Sequence, residues 1–306
     1  MGSLDGLVAI VTGAGRGLGR SHALHLAREG AAVVVNDPGV GGGGEGEGDA
    51  TPAAQVVAEI EEAGGRAVAN LDSCADWAAA EGMVAQAVET FGKLDILVNN
   101  AGILRDRMIF SMTEAEWDDI IKVHLKGHFC PTRHAAAYWR EQSKAGNAVD
   151  ARIINTASPS GLYGNAGQTN YGAAKAGIAG FTLVCALELG RLGVTANCLA
   201  PTAMTRLVAP LMGGEENISD EVKEAISPRW VATVATWLAS PLSKDVTGRV
   251  FDVRGETIAI AEGWHRGPDG TNPSGDPEGA GKLIQELLAS ARPNADLDGR
   301  DAPDRF

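Results

Sequence analysis

Residues 12–19 read Thr12-Gly13-Ala14-Gly15-Arg16-Gly17-Leu18-Gly19, between an apolar run from Leu7 to Val11 and a helical pattern from Leu18 to Glu29. A strand feeding a glycine-spaced turn and then a helix presents unpaired backbone N–H groups at the positive end of a helix dipole, where a phosphate can settle. Gly13, Gly17 and Gly19 leave that approach open, with Arg16 and Leu18 in the same turn. The context predicts a dinucleotide pyrophosphate site; the bland alternative is a tight turn that only packs.

Outward from this turn, short β-branched runs alternate with longer amphipathic stretches, the pattern of a parallel sheet with helices on both faces. Strands are predicted at Leu7 to Val11, Ala32 to Asn36, Arg66 to Asn70, Leu94 to Asn99, Arg152 to Thr156, Val194 to Leu199 and Arg249 to Val253. Helices are predicted at Leu18 to Glu29, Pro52 to Ala63, Ala75 to Phe91, Glu114 to Ser143, Tyr171 to Arg191 and Trp230 to Ala239. The expected α/β architecture is a single doubly wound Rossmann domain over residues 1–262 with a seven-stranded parallel sheet. A Gly/Pro-rich C-terminal extension over 263–306 carries one short helix, Gly281 to Ala291, and its last dozen residues are expected to be disordered. Pro38 to Asp49 is nearly all glycine, read either as a loop ordered by a cofactor's adenosine end or as a solvated insertion.

Asp37 ends the second strand, where a carboxylate can accept from the adenine ribose hydroxyls and would repel a 2′-phosphate, so NAD is expected and NADP is disfavoured. Arg16 pulls the other way, because a guanidinium can pair a phosphate. Asp72 and Ser73 follow the third strand, where Asp72 could accept from the adenine amino group or either residue could cap a helix.

Tyr171 and Lys175 lie four apart on a predicted helix and therefore share a face. A nearby cation favours the phenolate, which lowers the tyrosine pKa from about 10 and makes a general acid/base. Ser158, in a Ser-Pro-Ser turn after the fifth strand, can donate to a substrate oxygen. Singly these features arise by chance; together with the glycine turn they spell hydride transfer between a secondary alcohol and a ketone.

With both ends present, the chain resembles the short-chain dehydrogenase/reductase family over about residues 4 to 256. The resemblance rests on the TGAGRGLG turn, Asp72, Asn99-Asn100-Ala101-Gly102, Ser158 and Tyr171-Gly-Ala-Ala-Lys175. It implies a Tyr171 general acid/base, a Lys175 that binds the nicotinamide ribose and tunes Tyr171, and a Ser158 that orients the carbonyl. Asn99, Ala101 and Gly102 would support the central strand and the cofactor. Val33 to Asp37, Asn99 to Arg107, Val123 to Gly127 and Gly161 to Asn165 resemble the dehydrogenase part of peroxisomal multifunctional enzyme type 2. That subgroup and its bacterial relatives imply a (3R)-hydroxyacyl-CoA substrate, fatty or steroid-derived. The rivals are a hydroxysteroid dehydrogenase, a 3-oxoacyl-thioester reductase and, from another class, a non-catalytic NAD-binding regulator.

Three departures stand out. His124 occupies the place of the family's catalytic Asn, whose main-chain carbonyl holds a relay water, and is expected to keep that relay. Pro201-Thr202 replaces the usual Pro-Gly on the nicotinamide side. The hydratase and carrier domains of the peroxisomal enzyme and its peroxisomal address are not found, so the chain is expected to work alone or with a separate hydratase.

Lys and Arg number 26 against 39 Asp and Glu, a net charge of −13 that argues against nucleic acid. CoA phosphates need only a local cluster, and Arg105, Arg107, Arg206 and Arg266 are candidates by position. No apolar run reaches the roughly 18 residues that span a bilayer, and no secretory signal opens the chain, so no membrane partner and a cytoplasmic location are expected. Cys74, Cys130, Cys185 and Cys198 lack metal-ligand spacing, and no metal is expected. Small residues from Ala173 to Gly180 allow close helix approach, so a homodimer or homotetramer is expected, although packing on the sheet would use them equally well.

Overall fold

The computed structural model describes residues 2–46, 48–204, 217–272 and 275–303. Among these, eight strands form one sheet in the order β3-β2-β1-β4-β5-β6-β7-β8. They are β1 Val8–Thr12, β2 Ala32–Asn36, β3 Arg66–Asn70, β4 Ile96–Asn99, β5 Ala151–Thr156, β6 Val194–Thr202, β7 Val250–Arg254 and β8 Thr257–Ala261. The first seven run parallel, and β8 returns antiparallel to β7 after a left-handed glycine, Gly255. The sheet therefore has one strand more than the seven expected. The apolar residues of β8, Ile258 and Ile260, are 57% and 49% exposed, so the strand has no buried face to mark it in the sequence.

β1 and β2 are apolar up to their last residues, Thr12 and Asn36, because both of their faces are covered. Ala9, Val11, Val33 and Val35 point to one side, against α1 (Gly17–Arg28), α2 (Thr51–Glu62) and α9 (Pro228–Ala239). Val8, Ile10, Ala32 and Val34 point to the other, against α3 (Trp77–Phe91), α5 (Gly127–Lys144) and α7 (Thr169–Leu189). The four cysteines are buried and unbonded. The remaining helices are α4 (Glu114–Ile120), α6 (Pro159–Tyr163), α8 (Asp220–Ala225) and α10 (Pro277–Ser290). The long helix expected from Glu114 to Ser143 is continuous in path but carries a π-helical stretch over Ile121–Lys126. By length and hydropathy α7 and its continuation to Leu192 could cross a membrane; here the helix packs on β5 and β6.

The chain order reverses between β1 and β4, and the two strand ends are tied there. Thr12 Oγ1 accepts from the backbone N–H groups of Asn100 and Ala101 at 2.9 and 3.1 Å, and Asn100 Nδ2 donates to the carbonyl of Thr12 at 3.0 Å. Further along, Asn99 Nδ2 donates to Thr132 and Asn155, both at 2.9 Å, tying β4 to α5 and β5.

The tail differs from the disorder expected for it: Ala295 and Asp301 pair as an antiparallel bridge around a tight turn. Among the largest fully buried side chains is Trp139, whose indole N–H donates to the carbonyl of Leu94 at 2.7 Å. Trp139→Ala removes both contacts, and equilibrium urea unfolding is expected to show a loss of about 3–5 kcal/mol.

Candidate active site

At the carboxyl ends of the strands lies a cleft of about 580 Å³. Its adenosine end is built on backbone that tolerates no side chain. Gly13 sits at φ +63°, and a Cβ there would meet Ala101 Cα at 2.8 Å; a Cβ on Gly19 would meet the Gly13 carbonyl oxygen at 2.1 Å. Gly17 is also left-handed, at φ 54°. Asp37 is buried, with Oδ2 accepting from Gly15 N at 2.9 Å and Oδ1 from Gly39 N at 2.7 Å. The second of these bonds starts the glycine loop, which is no loose insertion: Pro38, Val40, Gly41, Gly43 and Gly44 form cleft wall. Leu104 N donates to the Gly42 carbonyl at 3.2 Å, and Arg105 pairs with Glu45 at 3.5 Å, holding the loop against the 103–105 segment.

Of the residues expected to hold a cofactor, Gly13, Arg16, Gly17, Leu18, Gly19, Asp37, Ser73, Ala101, Gly102, Pro201 and Thr202 line the cleft, as do Ser158, Tyr171, Lys175 and His124. Asp72 and Asn99 do not. Asp72 turns back to accept from Asn70 Nδ2 at 3.2 Å, and Asn99 is spent on the β4–β5–α5 tie. The arrangement fits a dinucleotide: one end is a glycine cradle, and the buried Arg16 Nη1 has no hydrogen-bond partner. Sequence reading missed Arg254, Leu297 and Asp298, which reach the cleft from β7 and the tail.

At the other end, Ser158 caps α6, its Oγ accepting from Ser160 N at 3.2 Å, and it hydrogen-bonds the Tyr171 phenol. Tyr171 is placed by its neighbour Asn170, whose Nδ2 donates to the carbonyls of Arg105 and Glu116, both at 3.0 Å, while its Oδ1 accepts from Tyr171 N. Lys175 Nζ lies 5.5 Å from the Tyr171 ring centroid and donates to the Thr156 carbonyl at 2.6 Å. The expected sign of the tyrosine shift is reversed. Burial pushes Tyr171 up to about 12, against a smaller downward pull from Ser158, and burial takes Lys175 down to about 7. Desolvation outweighs the cation because the lysine itself is driven toward its neutral form.

His124 stands edge-on to the Tyr171 ring, 5.1 Å between centroids. Its Nε2 is 2.8 Å from the Ile103 carbonyl oxygen, and burial holds the imidazole well below its ordinary pKa. A Cβ on Gly102 would meet its Cε1 at 2.5 Å, so the ring and that glycine require one another. The His124 carbonyl, expected to hold a relay water, accepts from Gly127 N. The arginines proposed for phosphates are engaged: Arg105 with Glu45 and Asp119, Arg107 with Glu116, Arg266 with Asp269. Arg206 lies outside the described residues.

Comparison with known proteins agrees with this geometry. A family model described as short chain dehydrogenase matches residues 7–211. The hydroxyacyl-CoA dehydrogenase ChsB1 of Mycobacterium tuberculosis is 43% identical over 97% of this chain and 93% of its own length. Peroxisomal multifunctional enzyme type 2 of Mus musculus is 43% identical over 81% of this chain, which spans only 32% of that longer protein. A short chain dehydrogenase from Mycobacterium avium, known from its crystal structure, superposes with a TM-score of 0.84 at 52% identity, covering 96% of this chain and 98% of that one.

The buried lysine has a consequence for stability. An unfolded lysine titrates at 10.5 and Lys175 at about 7, so the unfolded chain binds more protons between these values. Stability therefore rises with pH across that window, and the penalty is full below pH 7. Relative to Lys175→Met, the native chain is expected to gain up to about 1.4 kcal/mol per pH unit between pH 7 and 9.5 in urea titrations.

Proposed function

The chain belongs to the short-chain dehydrogenase family and is an oxidoreductase of that family; from its cleft we propose that it is an NAD-dependent (3R)-hydroxyacyl-CoA dehydrogenase acting on fatty or steroid-derived acyl groups. The observation that carries the chemistry is the convergence of Ser158, Tyr171 and Lys175 at one end of a cleft whose other end is a side-chain-free cradle. The thioester rests on similarity to a relative named hydroxyacyl-CoA dehydrogenase and to the peroxisomal enzyme.

The oxidised nicotinamide supplies a hydride acceptor and a positive charge. Ser158 Oγ and the Tyr171 hydroxyl together hold the substrate oxygen, and Tyr171 exchanges a proton with it as the C–O bond order changes. Because burial keeps the free phenol protonated and brings Lys175 down to about 7, the phenolate that accepts the alcohol proton forms when the phenol gives its own proton to the Lys175 amine, and the resulting ammonium balances the phenolate charge beside it. Bound where Asp37 turns its carboxylate, an adenine ribose finds an acceptor, whereas a 2′-phosphate would face a buried negative charge. This favours NAD, with Arg16 as the opposing feature.

One observation favours a second reading, a 3-oxoacyl-thioester reductase: a tyrosine that stays protonated to about 12 is ready to donate, as reduction requires. The cofactor separates the two. We place the protein in the cytoplasm and assign it a homo-oligomeric state. Leu183, Val184 and Leu187 on α7 and Phe129 on α5 are large apolar residues 43–84% exposed, with Gly180 open beside them. Sedimentation velocity at micromolar concentration is expected to show a dimer or tetramer, and Leu187→Glu to weaken it; a monomer would sink this assignment.

NADH formation from a series of (3R)-hydroxyacyl-CoA thioesters tests the activity. Tyr171→Phe is expected to lower kcat about 10²- to 10⁴-fold while NAD still binds. Asp37→Ser is expected to narrow the preference for NAD over NADP. No turnover of any thioester by the native chain, with NAD bound, would overturn the substrate assignment.

A further inference from the structure

The C-terminal extension reaches the cleft at a place set by the strand order. The adenosine cradle lies at β1 and β2, Ser158 follows β5 as the cap of α6, Lys175 lies on α7, and Arg254 ends β7, paired in register with Thr202 of β6. The tail contributes Leu297 and Asp298 to the same cleft on this far side, remote from the dinucleotide cradle. They therefore lie with Arg254 at the catalytic end of the cleft, away from the adenosine cradle.

The tail is built to stay there. Asp296 Oδ1 accepts from the backbone N–H groups of Asp298 and Arg300, both at 2.9 Å, its own N–H donates to the Arg300 carbonyl at 2.7 Å, and Arg292 pairs with Asp301 at 2.7 Å across the base of the turn. The turn is then fastened to the body twice. Asp298 forms an ion pair with Arg254. Gly299, left-handed at φ +76°, lies so close to the end of α6 that a Cβ there would meet Tyr163 Oη at 3.0 Å. Tyr163 in turn donates to Asp252 Oδ2 at 3.2 Å, joining β7 to the helix whose first residue Ser158 caps. The docking site thus consists of the end of β7 and of α6, the helix that the catalytic serine caps.

We propose that residues 292–303 form a strap across the substrate end of their own cleft, and that Leu297 is a specificity-determining residue that contacts the acyl chain of the substrate. For the identity of that substrate the inference rests on the hydroxyacyl-CoA reading; the position of the strap does not. Leu297 is apolar and 40% exposed toward the cleft and solvent, so a long or ring-bearing acyl group covers it while a short one stops before it. Arg254 and Asp298 neutralise each other at that wall, so it presents no net charge beside Leu297.

Steady-state kcat/KM across 3-hydroxyacyl-CoA thioesters from four carbons upward tests this in native protein, Leu297→Ala and Gly299→Val. The second variant touches no cleft atom and acts only by undocking the strap. Both are expected to lose about tenfold in kcat/KM on the longest substrates and to stay within about twofold on the shortest, with NAD affinity unchanged. Hydrogen exchange supplies an independent readout: amides of residues 296–300 are expected to gain protection when a long-chain thioester is added to the native NAD complex. Parallel profiles in all three proteins, or no added protection, would overturn the strap. Should the native chain oxidise no thioester, the substrate assignment fails, and the same variants compared on free secondary alcohols of increasing size still decide whether the strap reads substrate length.

Discussion

The clasp between Thr12 and Asn100 is the constraint on which the cleft depends. Chain order reverses between β1 and β4, so the loops leaving these strands part in opposite directions and open a crevice. A hydroxyl accepting two backbone N–H groups, with an amide returning a bond to the Thr12 carbonyl, keeps the strand ends from separating where the crevice tends to spread them. Both glycine constraints follow from it. Gly13 must lack a side chain because the clasp presses Ala101 against it, and Gly19 because the helix start is drawn onto Gly13 and Asn100. The dinucleotide cradle is thus a by-product of holding two strands together.

At the opposite end the dominant force is desolvation. Tyr171, Lys175, His124 and His128 are titratable groups enclosed within a few ångströms of one another, and burial drives each toward its uncharged form. His128 Nε2 accepts from Thr156 N at 3.3 Å, which puts the proton of the neutral ring on Nδ1. The peptide of Thr156 therefore gives its N–H to His128 and its carbonyl to Lys175 Nζ. A site poised in this way carries little charge of its own and responds strongly to charge brought in, because the low-dielectric surroundings amplify whatever enters.

What was legible in the sequence follows from the range of the interactions involved. The parallel strands announce themselves because burial on both faces demands unbroken apolar runs, and the Tyr171–Lys175 pair does so because a helix makes residues four apart neighbours. The β8 strand is an edge held by backbone bonds, with its isoleucines outside, so no periodicity records it. The π-helical stretch is similarly silent. Gly127 N reaches back to Lys122 while Pro131 offers no N–H to the Gly127 carbonyl, and these are adjustments of backbone that leave side-chain spacing looking helical. Of the two roles open to Asp72, the local turn is the one formed here: it accepts from Asn70, two residues away, whose position depends on β3 pairing with β2. The tyrosine shift was misjudged in sign because spacing reports the cation next door and is blind to the depth at which both groups are buried.

The glycine loop and the tail show how a Rossmann sheet, whose strand ends are all open to solvent on one side, is roofed by chain segments with almost no apolar content. Neither has a hydrophobic face with which to dock. Each instead uses a charged tether to a cleft-wall arginine, Glu45 to Arg105 and Asp298 to Arg254, together with a left-handed glycine set against the body, Gly44 on Ile103 and Gly299 on Tyr163. Exposed tethers of this kind are screened by solvent and hold weakly, so both roofs can lift without disturbing the core beneath them. A cleft that must admit a dinucleotide at one end and a substrate at the other, and then exclude water from a buried tyrosine and lysine, needs covers of that strength. An apolar cover would bind too firmly to release product, and a free loop would leave the desolvation that sets Tyr171 and Lys175 incomplete.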